Sequence, residues 1–361
     1  MAGVQTAPRD QPFARLENWV PIPVGERRLY AALRESIPIV DAAIGKIIRL
    51  CGSFRVECPG KTVEKELNDF LLNVPVGAAG AGVQTFLDGY LSDLLTYGNA
   101  VGEMVVSGGD FAALYNASLD NVELKAVTPL EIQILRRENG ASVPVKYPQL
   151  VLCSALNPPS GSAAGVSILR GLPFVSDILL RIYRTVGVNW ERLGNVRFAV
   201  TYKPTSDAAD QAYAKERAEQ IAEEWGRAMR GSEVSDFVSV GDVSIRAIGS
   251  DCRIPDSEVP VRQMLEQIVA KLGIPPFLLG LSWSSTERMS SQQADILTSE
   301  LEAYRRVLNP VISKICSLRL ALWGAPRDFS VVWDDITLLD TVELSSARYQ
   351  NAKAAQLEQA T

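Results

Sequence analysis

Apolar residues recur every three or four positions in two early segments of the chain, a spacing that gives a helix one apolar face. The first predicted helix follows Ser36, with Pro38 in its first turn, and the second covers residues 84–97. Short runs rich in β-branched residues come next and predict strands. These runs are residues 101–106, 122–127, 132–136 and 150–153. Together the segments predict a mixed α+β body with a largely antiparallel sheet.

The second half of the chain alternates long helical patterns with a strand-rich segment. Apolar residues from Ile168 to Val186 have a period close to the coiled-coil value of about 3.5 residues, which predicts a helix that packs lengthwise on other helices. The charged residues 210–230 predict another helix, flanked by short strands, so this part predicts a βαββ insertion. Its predicted strands are residues 196–202, 237–240 and 243–248. Residues 258–272 then return to a helical pattern.

A double-proline turn ends that last helical pattern. Gly273 permits the left-handed conformation that caps a helix, and Pro275 with Pro276 prevents the helix from continuing. Gly280 ends the turn, and the hydroxyl-rich residues 282–289 predict a polar loop.

The pattern after this loop predicts one more long helix. Ser290 and Gln293 have the spacing of a capping box, so we expect the helix to cover residues 291–323 and to be interrupted at Pro310. At the other end of the chain, residues 1–35 contain four prolines among charged residues. This composition predicts an extended arm that is ordered by a neighbour.

Composition excludes several classes of chemistry. The 361-residue chain contains no histidine, which excludes Ser-His-Asp and Cys-His catalysis and histidine-bearing zinc sites. Its formal net charge of −6 argues against a protein that grips nucleic acid through a basic surface. The five cysteines include no CxxC pair, which indicates reduced thiols and no metal. No apolar run has the length of a membrane-spanning helix, and we expect neither membrane association nor a cofactor.

Three glycine-containing segments match functional motifs only in part. Gly60-Lys61-Thr62 lacks the earlier glycine that a phosphate-binding loop requires, since Arg55 occupies that position. The glycine-rich residues 77–82 predict a flexible linker, because no strand precedes them. Residues 161–165 predict a turn, because no histidine is available to activate Ser162.

Paired carboxylates leave one enzymatic alternative open. Asp334 and Asp335 follow a predicted strand, and Asp251 and Asp256 flank a turn. Two carboxylates can support hydrolysis, with or without magnesium. Adjacent residues of a strand point to opposite faces, so we favour surface roles for Asp334 and Asp335.

An ordered set of short motifs resembles the portal proteins of tailed bacteriophages, in particular the portal family of long-tailed phages. The central motif is Leu272-Gly-Ile-Pro-Pro-Phe-Leu-Leu-Gly280, followed by the polar loop and by Ser291-Gln-Gln-Ala-Asp-Ile-Leu297. The other motifs agree in order from about residue 36 to residue 345. They are the early helix after Ser36, Tyr97-Gly-Asn-Ala100, Val127-Thr-Pro129, Asn157-Pro-Pro159, Gly165-Val-Ser-Ile-Leu169 and Leu308-Asn-Pro310.

The resemblance implies an α+β subunit of a ring, typically of twelve copies, with a wing, long stem helices, a small βαββ clip and a channel-lining helix. Residues 1–35 would be an N-terminal arm and residues 36–165 the wing. The remaining parts would be stem helices at 166–194 and 256–272, a clip at 195–255, the turn and tunnel loop at 273–290, the channel or wing helix at 291–324, and a short wing strand with a crown-like helix at 325–361.

The resemblance also implies site residues. Those of the tunnel loop are Ser282, Trp283, Ser284, Ser285, Thr286, Glu287, Arg288 and Met289, and those of the turn are Gly273, Pro275, Pro276 and Gly280. The residues expected to pack the stem are Leu179, Ile182, Val186, Leu265, Ile268 and Leu272. We expect no catalytic or metal-binding residue.

By this resemblance the chain is a structural portal protein at the capsid vertex of a virion, assembled in the host cytoplasm. Its ring would conduct double-stranded DNA during packaging and ejection. Expected partners are the terminase large subunit, the major capsid and scaffold proteins, the head-tail adaptor and DNA bound without sequence preference. An acidic channel suits this task, because close basic contacts would retard a sliding polyanion. A carboxylate-dependent hydrolase or another virion ring or adaptor protein remains the alternative.

Overall fold

The computed structural model describes residues 25–128, 131–138, 141–160, 162–194, 197–204, 206–230, 242–248, 257–281 and 287–336. The chain forms two compact units. Met1–Ser176 and Leu265–Thr361 make up the first unit, and Asp177–Met264 make up the second. The boundaries between the units fall within two long helices, Leu172–Gly194 and Glu258–Leu272.

The helices in chain order are α1 (Gly25–Ser36), α2 (Pro38–Leu50), α3 (Lys61–Asn73), α4 (Val83–Tyr97), α5 (Leu172–Gly194), α6 (Ala208–Ala212), α7 (Ala214–Arg230), α8 (Glu258–Leu272) and α9 (Glu287–Trp323). The strands are β1 (Phe54–Glu57), β2 (Pro75–Val76), β3 (Gly80–Ala81), β4 (Asn99–Ser107), β5 (Asp110–Ala117), β6 (Val122–Thr128), β7 (Glu131–Glu138), β8 (Ala141–Pro144), β9 (Val151–Ala155), β10 (Arg197–Lys203), β11 (Asp242–Ile248) and β12 (Ser330–Trp333). Single 3-10 turns cover Pro148–Leu150 and Pro276–Leu279.

The core of the first unit lies between α4 and a five-stranded sheet of order β3-β2-β5-β4-β9. Its neighbouring strands are antiparallel except for the parallel pair of β2 and β5. Phe86 and Tyr90 of α4 are fully buried. Gly102 lets this helix approach the sheet, because a Cβ atom there would lie 2.5 Å from the Phe86 ring. The first two predicted helices and the antiparallel sheet are confirmed.

The end of α4 shows why its boundary was predictable. Gly98 adopts a left-handed conformation with a φ of 80°, as expected for a glycine that ends a helix. The backbone of Gly165 passes directly over it, and a Cβ atom on Gly165 would lie 2.0 Å from the Gly98 carbonyl oxygen. Two of the segments that carry the portal resemblance therefore meet at a contact that only glycine allows.

Three local predictions were wrong. Residues 25–36 form α1 and not an extended arm, because the prolines end at Pro23 and good helix formers follow; residues 1–24 lie outside the described part. The glycine-rich residues 77–82 form a tight hairpin of β2 and β3 and not a linker. Residues 166–171 are not helical, since Gly171 has a φ of 91° and Pro173 restarts the helix.

The second unit is built around one antiparallel strand pair. β10 pairs with β11 from Arg197 opposite Ile248 to Lys203 opposite Asp242. The charged segment predicted as one helix is divided into α6 and α7 at Tyr213. The further strand predicted at residues 237–240 lies outside the described residues.

Candidate functional site

The turn between α8 and α9 is built as its sequence predicts. Gly273 has a φ of 68° and donates its N–H to the carbonyl oxygen of Val269 at 3.0 Å, which ends α8. Pro275 precedes the single 3-10 turn, and Gly280 closes it with a φ of 75°. The N–H groups of Leu278 and Gly280 are bound within the turn, at 3.1 and 3.2 Å. The chain direction is therefore fixed by glycine and proline conformations.

Apolar burial holds this turn against the body of the first unit. Leu272, Ile274 and Pro275 are buried, and the 3-10 turn contacts α2. Because the turn is bound on this side, it gives the following residues a fixed starting point.

The predicted tunnel loop is only partly within the described residues. Ser282, Trp283, Ser284, Ser285 and Thr286 lie outside them. Glu287, Arg288 and Met289 are in the first turn of α9, so the prediction that the helix starts at residue 291 was wrong. Glu, Arg and Met are good helix formers, and they extend the helix ahead of the capping-box spacing.

Helix α9 is continuous through Pro310, contrary to the predicted interruption. A proline inside a helix removes one hydrogen bond to the carbonyl group four residues earlier. That carbonyl belongs to Arg306, and both Arg306 and Pro310 are exposed. Water can satisfy the carbonyl there, which explains why the helix continues.

The C-terminal half of α9 is anchored by cations that bind into the first unit. Arg305 is buried, and its Nε donates to the carbonyl oxygen of Cys51 at 2.8 Å. Its guanidinium lies 4.9 Å from the centre of the Trp333 ring, within the range of a cation–π contact. Burial lowers the pKa of Arg305 and raises that of the Cys51 thiol to about 12. This cluster therefore joins α9 to both β12 and the end of α2.

Two further cations extend this anchor along the helix. The Lys314 ammonium group donates to the carbonyl oxygen of Val151 at 2.8 Å. Arg319 forms a salt bridge with Asp110, and its guanidinium lies 5.0 Å from the centre of the Phe70 ring. Nothing in the spacing of these residues along the sequence indicated their partners, which are distant along the chain.

The N-terminal half of α9 has a different, exposed surface. Residues separated by three or four positions form an exposed polar stripe of Gln292, Asp295, Ser299, Glu302 and Arg306. Glu300 is exposed beside this stripe. Within residues 292–306, the charged members of this stripe are Asp295, Glu302 and, at its end, Arg306.

The six residues expected to pack the stem are divided between the two units. Leu179 is buried in the second unit, where Ile182 and Val186 are half-buried. Ile268 and Leu272 are buried in the first unit, and Leu265 is half-buried. Their mutual packing therefore stays a prediction.

Asp334, the first residue of the adjacent carboxylate pair, contacts Ser53 and Arg55. The Asp334 backbone N–H donates to the carbonyl oxygen of Ser53 at 2.9 Å, and its carboxylate lies 3.9 Å from Arg55. The described residues contain no group of three Cys, Asp or Glu side chains able to hold a metal ion. Asp251 and Asp256 lie outside the described residues. Within that same part of the chain, no helix combines the length and hydropathy needed to cross a bilayer.

Solved structures with a similar fold include chains of the gene transfer agent (GTA) particle. A chain in the neck of the empty GTA particle, computed with C6 symmetry, matches with a TM-score of 0.64 and 14% identity, over 92% of this chain and 89% of that chain. A chain in the neck of the native GTA particle, computed with C12 symmetry, matches with a TM-score of 0.63 and 15% identity, over 94% and 91%. A chain in the virion of the native GTA particle gives 0.62 and 15%, over 92% and 88%.

A looser likeness, with a TM-score of 0.43, is to an HK97 family phage portal protein from Corynebacterium diphtheriae, at 14% identity over 83% of this chain and 93% of that chain. No protein-family model and no curated protein sequence matches the chain. The α+β fold predicted from the sequence is confirmed: the chain has the fold of the GTA neck chains.

Proposed function

We propose that the chain is a structural portal subunit, and that copies of it form a ring through which double-stranded DNA enters and leaves a virion. The observation that carries the proposal is the fold, which is shared with chains in neck particles of C6 and C12 symmetry over more than nine-tenths of this chain. The ring would contain about twelve copies, as the C12 neck suggests.

The site geometry supports a passage for DNA that does not grip it. The double-proline turn is held by burial of Ile274 and Pro275, and it leads directly into residues 282–286. Together with the first turn of α9, these residues would form the tunnel loop. The exposed polar stripe of α9 includes the acids Asp295 and Glu302. In the ring, these acids would repel DNA and keep it close to the axis.

The partners follow from the same proposal. The chain would supply no motor energy, because the segment around Gly60 lacks the glycines of a phosphate-binding loop. A terminase ATPase would supply it from outside the ring and dock at the clip, residues 195–255, which belong to the second unit. The major capsid and scaffold proteins would surround the first unit, and a head-tail adaptor would bind after packaging.

Electron microscopy of the purified chain tests the ring directly. We expect annular particles with an axial opening. A stable monomer at micromolar concentration would contradict the proposal.

A deletion tests the loop. Removal of residues 283–286, which leaves α9 intact, should allow rings to form but should abolish DNA packaging in a packaging assay. A control of equal length, with these residues replaced by Gly and Ser, should package DNA, because the loop would make only weak contacts without sequence readout. Normal packaging by the deletion variant would show that these residues are not the tunnel loop.

The carboxylate-dependent hydrolase has little support from the geometry. Asp334 is engaged with Arg55 and the backbone of Ser53. Unchanged packaging after substitution of Asp334 and Asp335 by Asn would remove it from consideration.

A further inference from the structure

The three-stranded sheet of order β6-β7-β8 has one face that is almost entirely apolar. The strand register places Val122 opposite Arg136, Leu124 opposite Ile134 and Ala126 opposite Ile132. On the neighbouring strand β8, Val143 lies opposite Arg136, and the following Val145 donates its N–H to the Ile134 carbonyl oxygen. Directly opposite residues share a face of a sheet. This face therefore carries Arg136 together with seven apolar residues, Val122, Leu124, Ala126, Ile132, Ile134, Val143 and Val145, and the register adds the pair of Glu138 and Ala141 at its end.

The opposite face of this sheet is polar. Ser142 lies opposite Arg137, and its hydroxyl donates to the Glu123 carboxylate at 2.8 Å. Leu135 and Pro144, which lie opposite each other, are the apolar residues on this side. Leu135 is only 8% exposed, whereas part of the apolar face stays open.

The apolar face is accessible in the subunit. Ile132 is 48% exposed, Val143 is 43% exposed and Ala126 is also exposed, whereas Val122, Leu124, Ile134 and Val145 are half-buried. Valine and isoleucine residues that are 43–48% exposed lose much of the free energy that full burial would contribute to folding. A three-stranded sheet needs a covered apolar face for its stability. These exposures indicate that another surface covers the sheet in the working protein.

The size of the face fits part of a protein–protein interface. Three strands of about seven residues span roughly 300 Å², from about 3.3 Å per residue and 4.8 Å per strand. Monomeric proteins seldom expose larger continuous apolar patches. A standard interface takes about 800 Å² from each partner, so the sheet would supply about a third of one side.

A second copy of this chain is the occupant that the chemistry favours. Interfaces between permanently associated subunits are the most apolar class, whereas a partner that binds late would leave this face in water during assembly. In a ring each subunit uses two different surfaces, one for each neighbour. On the basis of the proposed ring, we infer that the apolar face of β6-β7-β8 is one of these two surfaces and contacts a neighbouring subunit.

Thiol labelling of two adjacent positions tests this contact. Val143→Cys places a thiol on the apolar face, and Ser142→Cys places a matched thiol on the polar face of the same strand. In rings, Cys at position 143 should react with a maleimide at least about tenfold more slowly than Cys at position 142, the ratio that about 1.4 kcal/mol of local burial maintains. In the dissociated subunit fraction the two rates should be similar.

Other occupants give other patterns. Protection at position 143 in both rings and subunits would mean that residues of the same chain cover the face. Equal reaction at both positions in rings, with protection only in complete particles, would mean that a later partner covers it. Either result overturns the inference without affecting the proposed ring.

An assembly assay supplies a second, independent measurement. Val143→Glu places a carboxylate opposite Arg136, and Ser142→Glu places one opposite Arg137, so each new charge has a cross-strand partner that helps the sheet fold. Val143→Glu should lose rings, at least about tenfold by size-exclusion chromatography, while Ser142→Glu should keep them. Circular dichroism should show native secondary structure for both variants. Intact rings from folded Val143→Glu overturn the inference, whereas a wild-type chain without rings overturns the proposed function.

Discussion

The two halves of α9 have the same backbone conformation and both bury apolar residues, such as Leu301 and Ile312, but their remaining surfaces differ. Ile315, in the C-terminal half, is 0% exposed, whereas Ile296, in the N-terminal half, is 65% exposed. The cations of the C-terminal half bind a carbonyl group, a carboxylate or an aromatic ring of the first unit. The N-terminal half presents acids to its surroundings. One helix therefore combines an anchor with a surface that carries exposed acids, as the proposed DNA passage would require.

In the proposed ring, the bound C-terminal half would keep α9 in place while DNA passes the exposed residues of its N-terminal half. Matched substitutions in α9 test this difference.

The largest effect is expected from apolar truncation in the anchor. Ile315→Ala should lower the free energy of unfolding by about 2–5 kcal/mol, because it leaves a cavity in a close-packed core. The matched change Ile296→Ala should alter it by no more than about 0.5 kcal/mol. Chemical denaturation of both variants measures the difference. Equal losses would mean that the two halves are equally buried in the assembled protein.

A smaller loss is expected from the buried cation. Arg305→Ala should lower the free energy of unfolding by about 1–3 kcal/mol, since the Cys51 carbonyl group loses a buried donor and Trp333 loses its cation–π contact. Arg306→Ala, at the exposed neighbouring position, is the control and should stay within about 0.5 kcal/mol of the wild type. Urea titration followed by Trp fluorescence compares the two. Similar values for both would show that the Arg305 contacts contribute nothing.

The features of α9 that depend on local conformation could be predicted from the sequence, and those that depend on distant contacts could not. The turn before α9 was predictable because Gly273, Pro275, Pro276 and Gly280 act through their own backbone conformations. The starting residue of α9 was misplaced, since helix propensity competed with a capping pattern. The hydrogen bond between Arg305 and Cys51 could not be predicted, because the two residues are 254 positions apart in the sequence. Local sequence patterns give no information about such distant pairs.

The same reasoning applies elsewhere in the first unit. The cap at Gly98 could be predicted from the glycine, but the passage of Gly165 over it depends on tertiary packing. The glycine-rich composition of residues 77–82 predicts a linker, yet pairing of β2 with both β3 and β5 orders them as a hairpin. Alternation in β6, β7 and β8 predicts strands, but the apolar face follows only from their register.

The smallest effect on stability, and the most specific effect on DNA binding, is expected from substitution of the exposed acids in the N-terminal half of α9. Asp295→Lys with Glu302→Lys should change the free energy of unfolding by no more than about 0.5 kcal/mol, since both side chains are exposed. The wild-type ring should bind duplex DNA weakly at physiological salt. The double variant should bind at least about tenfold more tightly, with a steeper dependence on salt, because each lysine can displace counterions from phosphates.

A charge-matched control separates position from net charge. Glu66→Lys with Asp69→Lys makes the same change in charge on the exposed surface of α3. If the α9 stripe faces the channel, this control should raise DNA affinity less than the α9 variant does, and it should not slow packaging. Fluorescence anisotropy at several salt concentrations measures the affinities. Equal gains from both variants would mean that only overall charge matters, and the acidic stripe would then have no special position relative to DNA.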